Sequence, residues 1–333
     1  MSKGFRSLAI PCLAFSIFVV ALYVERAGAG GTSCTASVMP ALSLSSQERQ
    51  EPTASCGCGS TEADRANAEA WAAHRMRCLD KASAAYDRVL TLAPPRRATA
   101  KERALAETFA PLLMTTHSEP FALKDVVAVL HPTKPWIAYH LFWDDDIDFP
   151  DDNDPSDHEI VWVQLDEKRQ RMVRYATYFH GRVLEAPPAA VARSGRPEVA
   201  VQWGKHGTMP WFWHDLTIAA DSGDVEASYY PLGRPITLDV YNKGIYRKLS
   251  TVGRRHQESP LGKSWPKKFT GTWEQFIDFS RLVDPGGLLA RKRMIEVTCY
   301  ANAVINRKFL RYNFRPKLEW PESLSSSKVK DRP

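Results

Sequence analysis

From Asp144 to Val163 the sequence runs DDDIDFPDDNDPSDHEIVWV. Nine of the sixteen residues from Asp144 to Glu159 are carboxylates, and no Lys or Arg interrupts them. Such a run repels itself unless positive charge is placed within it. Apolar, aromatic runs bound it on both sides, WIAYHLFW (Trp136 to Trp143) before it and IVWVQL after Glu159. Both read as strands, so the acidic loop is pinned at its two ends. Clustered carboxylates on a pinned loop suit a hard cation such as Ca²⁺ or Mg²⁺, because little chain entropy is lost on binding. The alternative is a solvated acidic loop with no ion.

Alternation sharpens the choice of ligands. In a strand that begins at Asp157, Asp157 and Glu159 point to one face, roughly 7 Å apart at Cα. His158 then points to the other face with Ile160 and Trp162 and reads as a packed histidine. The candidate cation ligands are therefore Asp157 and Glu159, with Asp154, Asp144 and Asp146 from the loop. An EF-hand is excluded, since Phe149 and Pro150 stand where that loop needs glycine.

The chain begins with Lys3 and Arg6 ahead of an apolar run from Leu8 to Val24, followed by Ala27-Gly28-Ala29. This is the pattern of an export signal over residues 1–33, with an uncleaved N-terminal anchor as the alternative. A secreted or periplasmic location follows, and it makes disulfides expected among Cys34, Cys56, Cys58, Cys78 and Cys299. Residues 34–60, rich in Ser, Thr, Ala and Pro, read as a flexible linker. Thr61 to Ala93 has one apolar stripe at helical spacing (Ala70, Ala73, Met76, Leu79, Ala82, Tyr86), and a short helix follows at Ala100 to Thr108. Residues 61–108 thus form a helical cap or spacer.

From Phe109 short β-type runs dominate, separated by Pro, Gly, Asn and Asp. Besides the two flanking the acidic loop, strands are expected at Met172–His180, Glu198–Trp203, Ile236–Tyr241, Ile295–Val304 and Lys308–Phe314, with a helix at Thr272–Leu282. The fold class is α+β, mainly β: an antiparallel β-sandwich over residues 109–320 with an N-terminal helical region, and a disordered tail at 321–333.

Five segments occur in an order that resembles the vacuolar protein sorting sixty-two family: FAPLLMTTHSEPFALKDV (Phe109 to Val126), YHLFW before the acidic loop, DHEIVWVQL (Asp157 to Leu165), YATYFHGR (Tyr175 to Arg182) and EVAVQWGKHGTMPW (Glu198 to Trp211). That family is itself similar to the necrosis- and ethylene-inducing-like proteins, secreted β-sandwiches with the hallmark G-H-R-H-D-W-E. The resemblance covers about a third of the chain. It places Asp157 and Glu159 on the hallmark's cation-holding Asp and Glu, while the intervening Trp is His158 here and the two hallmark histidines fall on Asp154 and Ser156. It also implies that His180 and His206 line the same end of the sandwich. The departures from the hallmark argue against a toxin's activity.

In GKHG the flanking glycines suit a tight turn presenting Lys205 and His206. With His180 and Trp211 these are the candidate ligand-binding side chains, and His206 or His180 is the candidate base if the protein hydrolyses a bond with metal assistance. No nucleophile elbow, zinc-protease helix, P-loop or dinucleotide fingerprint is present. The formal charge of +6 combines the acidic loop with basic stretches from Lys243 to Lys268 and from Arg291 to Arg315. An exported protein of this kind can meet anionic lipid heads or acidic glycans, whereas export makes nucleic acid an unexpected partner. The leading expectation is an exported protein that binds a divalent cation and a cell-surface glycan or lipid head group. A metal-assisted hydrolase and a membrane-damaging toxin are the alternatives.

Overall fold

The structure is a computed structural model that describes residues 60–147, 156–219, 234–252, 271–309 and 316–328. All of these lie in one compact unit, Glu51–Pro333. The expected export signal and most of the expected linker, Asp148 to Pro155 with candidate ligand Asp154, and the basic run from Gly253 to Thr270 fall outside the described residues.

The chain opens with an antiparallel helical pair, α1 (Thr61–Arg75) and α2 (Leu79–Leu92), where one helix was expected. The break is at Arg77, whose φ of 59° is left-handed and ends a helix. Met76, read as part of the apolar stripe, is consequently 67 % exposed. The small side chains Ala63, Ala66, Ala70 and Ala73 face Ala82, Ala85, Tyr86 and Val89 in one buried cluster. Cys78 and Cys299 border the same cluster, and both are disulfide-bonded.

Then come β1 (Arg96–Arg97), α3 (Ala100–Thr108), β2 (Leu112–Thr115), β3 (Leu123–Leu130), β4 (Trp136–Trp143), β5 (Asp157–Leu165), β6 (Met172–Phe179), β7 (Arg182–Glu185), α4 (Pro188–Arg193), β8 (Glu198–Val201), β9 (Thr208–Pro210) and β10 (Thr217–Ala219). The last third adds β11 (Pro235–Thr237), α5 (Leu238–Val252), β12 (Arg281–Val283), α6 (Pro285–Lys292), β13 (Ile295–Val297), α7 (Ala301–Val304) and β14 (Ser327–Lys328). The larger sheet has the order β1-β13-β3-β4-β5-β6-β7-β14 and the smaller β12-β2-β8-β9. Pairing is antiparallel except at β13 with β3 and β2 with β8, which are parallel. Leu141, Val161 and Val163 of the large sheet share a core with Leu113, Val199 and Val201 of the small one. This is the α+β sandwich, mainly β, with a helical N-terminal region.

Every residue of β4 is buried, which requires cover on both faces of the sheet. The second cover comes from the C-terminal part of the chain. Leu318, Trp320 and Leu324 pack on Trp136, Trp162 and Tyr178, and Ala301 and Ile305 on Val127, Val129 and Phe142. Residues 321–328 therefore do not form the disordered tail that was expected: Leu324 is buried and β14 extends the sheet beside β7.

Three further expectations are corrected. The strand expected at Ile236–Tyr241 is three residues of β11 followed by α5, whose Leu238, Tyr241, Ile245 and Leu249 are buried at helical spacing. The one expected at Ile295–Val304 ends at Val297 and turns into α7, continued by a π-helical turn over Ile305–Phe309 where the next strand was expected to start. The helix expected at Thr272–Leu282 is one capped 3-10 turn, Trp273–Phe276, before β12.

Candidate functional site

At the end of the sandwich where β4 stops and β5 starts, four connections converge: the loop after β2, the base of the acidic loop, the β6–β7 turn and the β8–β9 turn. Antiparallel register sets Trp143 opposite Asp157 and Leu141 opposite Glu159. The acidic loop's first residues are tied to the β8–β9 turn, where Ile147 N–H donates to the Gly204 carbonyl at 2.7 Å. Gly204 has φ of 63°, and a β-carbon there would sit 2.7 Å from the tip of the Ile147 side chain, so glycine is favoured by the backbone and by the close approach.

The GKHG turn forms, but it aims its side chains inward. His206 is fully buried, with Nδ1 2.9 Å from Asp157 Oδ2 and Nε2 3.2 Å from Glu119 Oε1. Both ring nitrogens face carboxylates, so both donate and the ring is an imidazolium. Burial opposes that charge, but the field of Glu119 and the hydrogen bond to Asp157 outweigh it and lift the pKa to about 9. Asp157 is held down to about 2: burial works against its charge, and the His206 hydrogen bond with the fields of Lys317 and Lys205 prevails. Trp143 stacks on the imidazolium at 4.3 Å and 5°, a cation-π geometry. Glu119 also accepts from the backbone N–H groups of Gly204 at 2.8 Å and Phe121 at 3.1 Å.

Two lysines complete the arrangement. Lys205 is buried and donates to Asp146. Lys317, from the C-terminal segment, reaches Glu159 Oε1 at 2.9 Å. The second oxygen of Glu159, Oε2, is buried and has no hydrogen-bond partner among the described residues, and neither has the buried Nε1 of Trp143. Burial pushes Glu159 up to about 8 even with Lys317 beside it.

Of the candidate ligands, then, Asp146, Asp157 and Glu159 each meet a cationic side chain, and Asp144 is exposed. Among the described residues, no three His, Cys, Asp or Glu side chains form a ready-made metal shell. His180 adopts φ of 45° at the neighbouring turn, and its Nε2 lies 2.8 Å from Gln202 Oε1. That bond fixes the Nε2–H tautomer and leaves Nδ1 as a lone pair, and burial keeps the ring neutral, with its pKa pushed down to about 3. Gln202 passes the network to Asn242 of α5 at 2.7 Å. His158 stacks on Phe142 at 4.6 Å and on His140 at 5.2 Å, a packed position.

Trp211 is not part of this assembly. Its N–H donates to Glu198 at the open end of the β8–β9 hairpin, away from the turn that carries His206. Two members were missed in the sequence, Glu119 and Lys317. Neither stands in a charge run, and Glu119 meets His206 across 87 positions, so only the fold reveals them. The arrangement defines an α+β sandwich with a buried, mixed-charge cluster at one end. A scan against family models finds no match, and searches of characterised proteins and of solved structures find none either.

Proposed function

We propose that this is an exported, non-catalytic β-sandwich protein that binds a divalent cation, Ca²⁺ or Mg²⁺, at the end of the sandwich. Through the cation it would bind an oxygen-rich cell-surface ligand, a glycan or a lipid head group. The observation that carries the reading is the orphaned Oε2 of Glu159, a buried acceptor on the same strand as Asp157, whose charge acts on it. Burying such groups costs several kcal/mol per ion and is rarely repaid in stability, so the pair is better explained by a ligand than by folding. Glu159 and Asp157 would supply first oxygens, joined by Asp146, Asp144 and, from outside the described residues, Asp154. Hard oxygen donors are what either cation takes. Likeness to the vacuolar protein sorting sixty-two family belongs to the same proposal and rests on the order of the shared segments.

Hydrolysis with His206 as base is disfavoured, because neither of its nitrogens has a lone pair to spare. His180 keeps one at Nδ1 and would be the base if turnover exists. The toxin reading has only the resemblance behind it.

The test is elemental analysis of the purified chain, with thermal melting after EDTA and after adding back Ca²⁺ or Mg²⁺. A cation at a hundredfold excess over Kd stabilises by about 2.7 kcal/mol, so the melt should rise by several degrees, and Glu159→Gln should abolish the rise. Superimposable melts with no bound metal would end the proposal. Turnover on an ester or glycoside panel, lost in His180→Ala, would move the reading to a hydrolase.

A further inference from the structure

Three cationic side chains meet the candidate ligands, and Lys317 differs from the other two. His206 and Lys205 come from the β8–β9 turn and are enclosed, with 0 % and 5 % of their side chains exposed. Lys317 comes from the C-terminal segment and keeps 17 %. Its Nζ touches two groups, Glu159 Oε1 at 2.9 Å and the face of the Tyr178 ring at 4.8 Å.

The backbone at Lys317 is held independently of that ammonium. Its carbonyl accepts from Asn302 Nδ2 at 2.9 Å, while the next residues are fixed by Asn302 N–H on Glu319 Oε1 and by Trp162 Nε1 on the Glu319 carbonyl. Leu318 packs on the apolar cluster that contains Trp162 and Tyr178. The head of the lysine can therefore leave Glu159 while its stem stays anchored and its charge keeps an aromatic partner.

A divalent cation entering at Glu159 Oε2 meets this ammonium on the other oxygen of the same carboxylate. Two positive charges at that range repel strongly inside a protein, and Ca²⁺ takes a Glu through one oxygen or through both. Lysine is the residue suited to give way. An arginine fork would occupy both oxygens, whereas an ammonium on a flexible stem holds one and is readily hydrated on release.

We infer that Lys317 is a built-in competitor at the cation site. Its ammonium holds Glu159 Oε1 until a divalent cation takes the carboxylate, and then withdraws toward the Tyr178 ring and solvent. By linkage, Lys317 weakens the cation by the same factor by which the cation loosens Lys317. The competition sets the site to fill at a higher cation concentration, which suits an exported protein, since extracellular modules take Ca²⁺ at roughly 10⁻⁴ to 10⁻³ M. The inference rests on the cation reading above and adds the residue that regulates that site.

The experiment titrates the full chain with Ca²⁺ and, separately, Mg²⁺ by isothermal calorimetry, in the wild type, Lys317→Met and Lys168→Met. Lys168 is exposed in the β5–β6 turn, at the opposite end of β5 from Asp157, and removes the same charge from a distance. Lys317→Met should bind the cation on the order of tenfold more tightly than the wild type, and Lys168→Met should bind like the wild type. A second measurement follows acylation of the wild-type Lys317 amine by mass spectrometry, in EDTA and at the cation concentration that saturates the titration. Labelling should rise severalfold with the cation, and because it needs no variant it decides the matter even where Lys317→Met does not fold. A wild type that binds the cation with Lys317 labelling unchanged or reduced would overturn the competition and leave the cation reading standing. So would a folded Lys317→Met that binds no more tightly than the wild type, or an equal gain in Lys168→Met. Absence of binding in all three proteins would overturn both.

Discussion

Glu319 offers a test of the packing between the C-terminal segment and the helical pair. Its Oε1 accepts from the Asn302 N–H at 2.7 Å and its Oε2 from Asn67 Nδ2 at 3.1 Å. Burial nevertheless pushes its pKa from 4.5 up to about 7, with Asp64 adding to the rise. A raised carboxyl pKa means that the folded state holds the proton more firmly than the unfolded chain does. Stability from this group is therefore complete below pH 4.5, declines as pH rises toward 7, and is lost above it. At 1.36 kcal/mol per pKa unit the loss is on the order of 3 kcal/mol. Glu319→Gln removes the titration and keeps an acceptor for Asn302. It also supplies a donor for Asn67 Oδ1, which is buried without a partner, once the Asn67 amide turns over. The expected result is a variant about as stable as the wild type near pH 4.5 and more stable by up to about 3 kcal/mol at pH 8. Urea unfolding followed by far-ultraviolet circular dichroism, in EDTA at both pH values, measures it. If Glu319→Gln is destabilised equally at both, the carboxylate is ionised throughout and its charge is favourable, which refutes the reasoning.

Two further substitutions test the fold and the site. Trp162 is fully buried beneath the C-terminal segment and donates to the Glu319 carbonyl at 2.9 Å, so Trp162→Ala should cost about 3–5 kcal/mol. A loss under about 1 kcal/mol in denaturant titration would mean that the segment does not pack there. Gly204→Ala meets both a left-handed φ and the Ile147 side chain and should cost about 1–3 kcal/mol. Ile147 is itself buried, so the control is Ile147→Ala alone: in that background Gly204→Ala should cost less than in the wild type but still about 1 kcal/mol, and no cost there would deny the backbone strain.

Legibility from sequence followed locality. Trp136–Trp143 was readable as a strand because it is apolar and aromatic with no Gly, Pro, Asp, Glu, Lys or Arg to break it, and β4 has those bounds. Ile295–Val304 has a similar composition, yet only its first three residues pair, with β1 and β3. The rest coils because Tyr300 and Ala303 join the core of the helical pair while Ala301 and Ile305 close the outer face of the sheet. A demand for cover made far away in the chain overrode local propensity there.

The same division runs through the site and decides what its chemistry can be. A dense row of carboxylates announces that positive charge is needed, but not whether a protein side chain or an ion supplies it. The fold answers for most of these oxygens: His206 bridges Glu119 and Asp157, whose other oxygens accept from the Gly204 and His158 N–H groups, Lys205 holds Asp146, and Lys317 holds one side of Glu159. These contacts anchor the base of the acidic loop to the β8–β9 turn, so a ligand arriving at Glu159 Oε2 would meet an ordered floor and lose less entropy on binding. The imidazolium thereby acts as a fixed internal counter-ion, with Trp143 stacked against it. That is a structural duty incompatible with taking up a proton in catalysis. It is why a histidine in a glycine-flanked turn, which in sequence suggests a catalytic group, is better understood as the clasp that keeps an acidic loop folded.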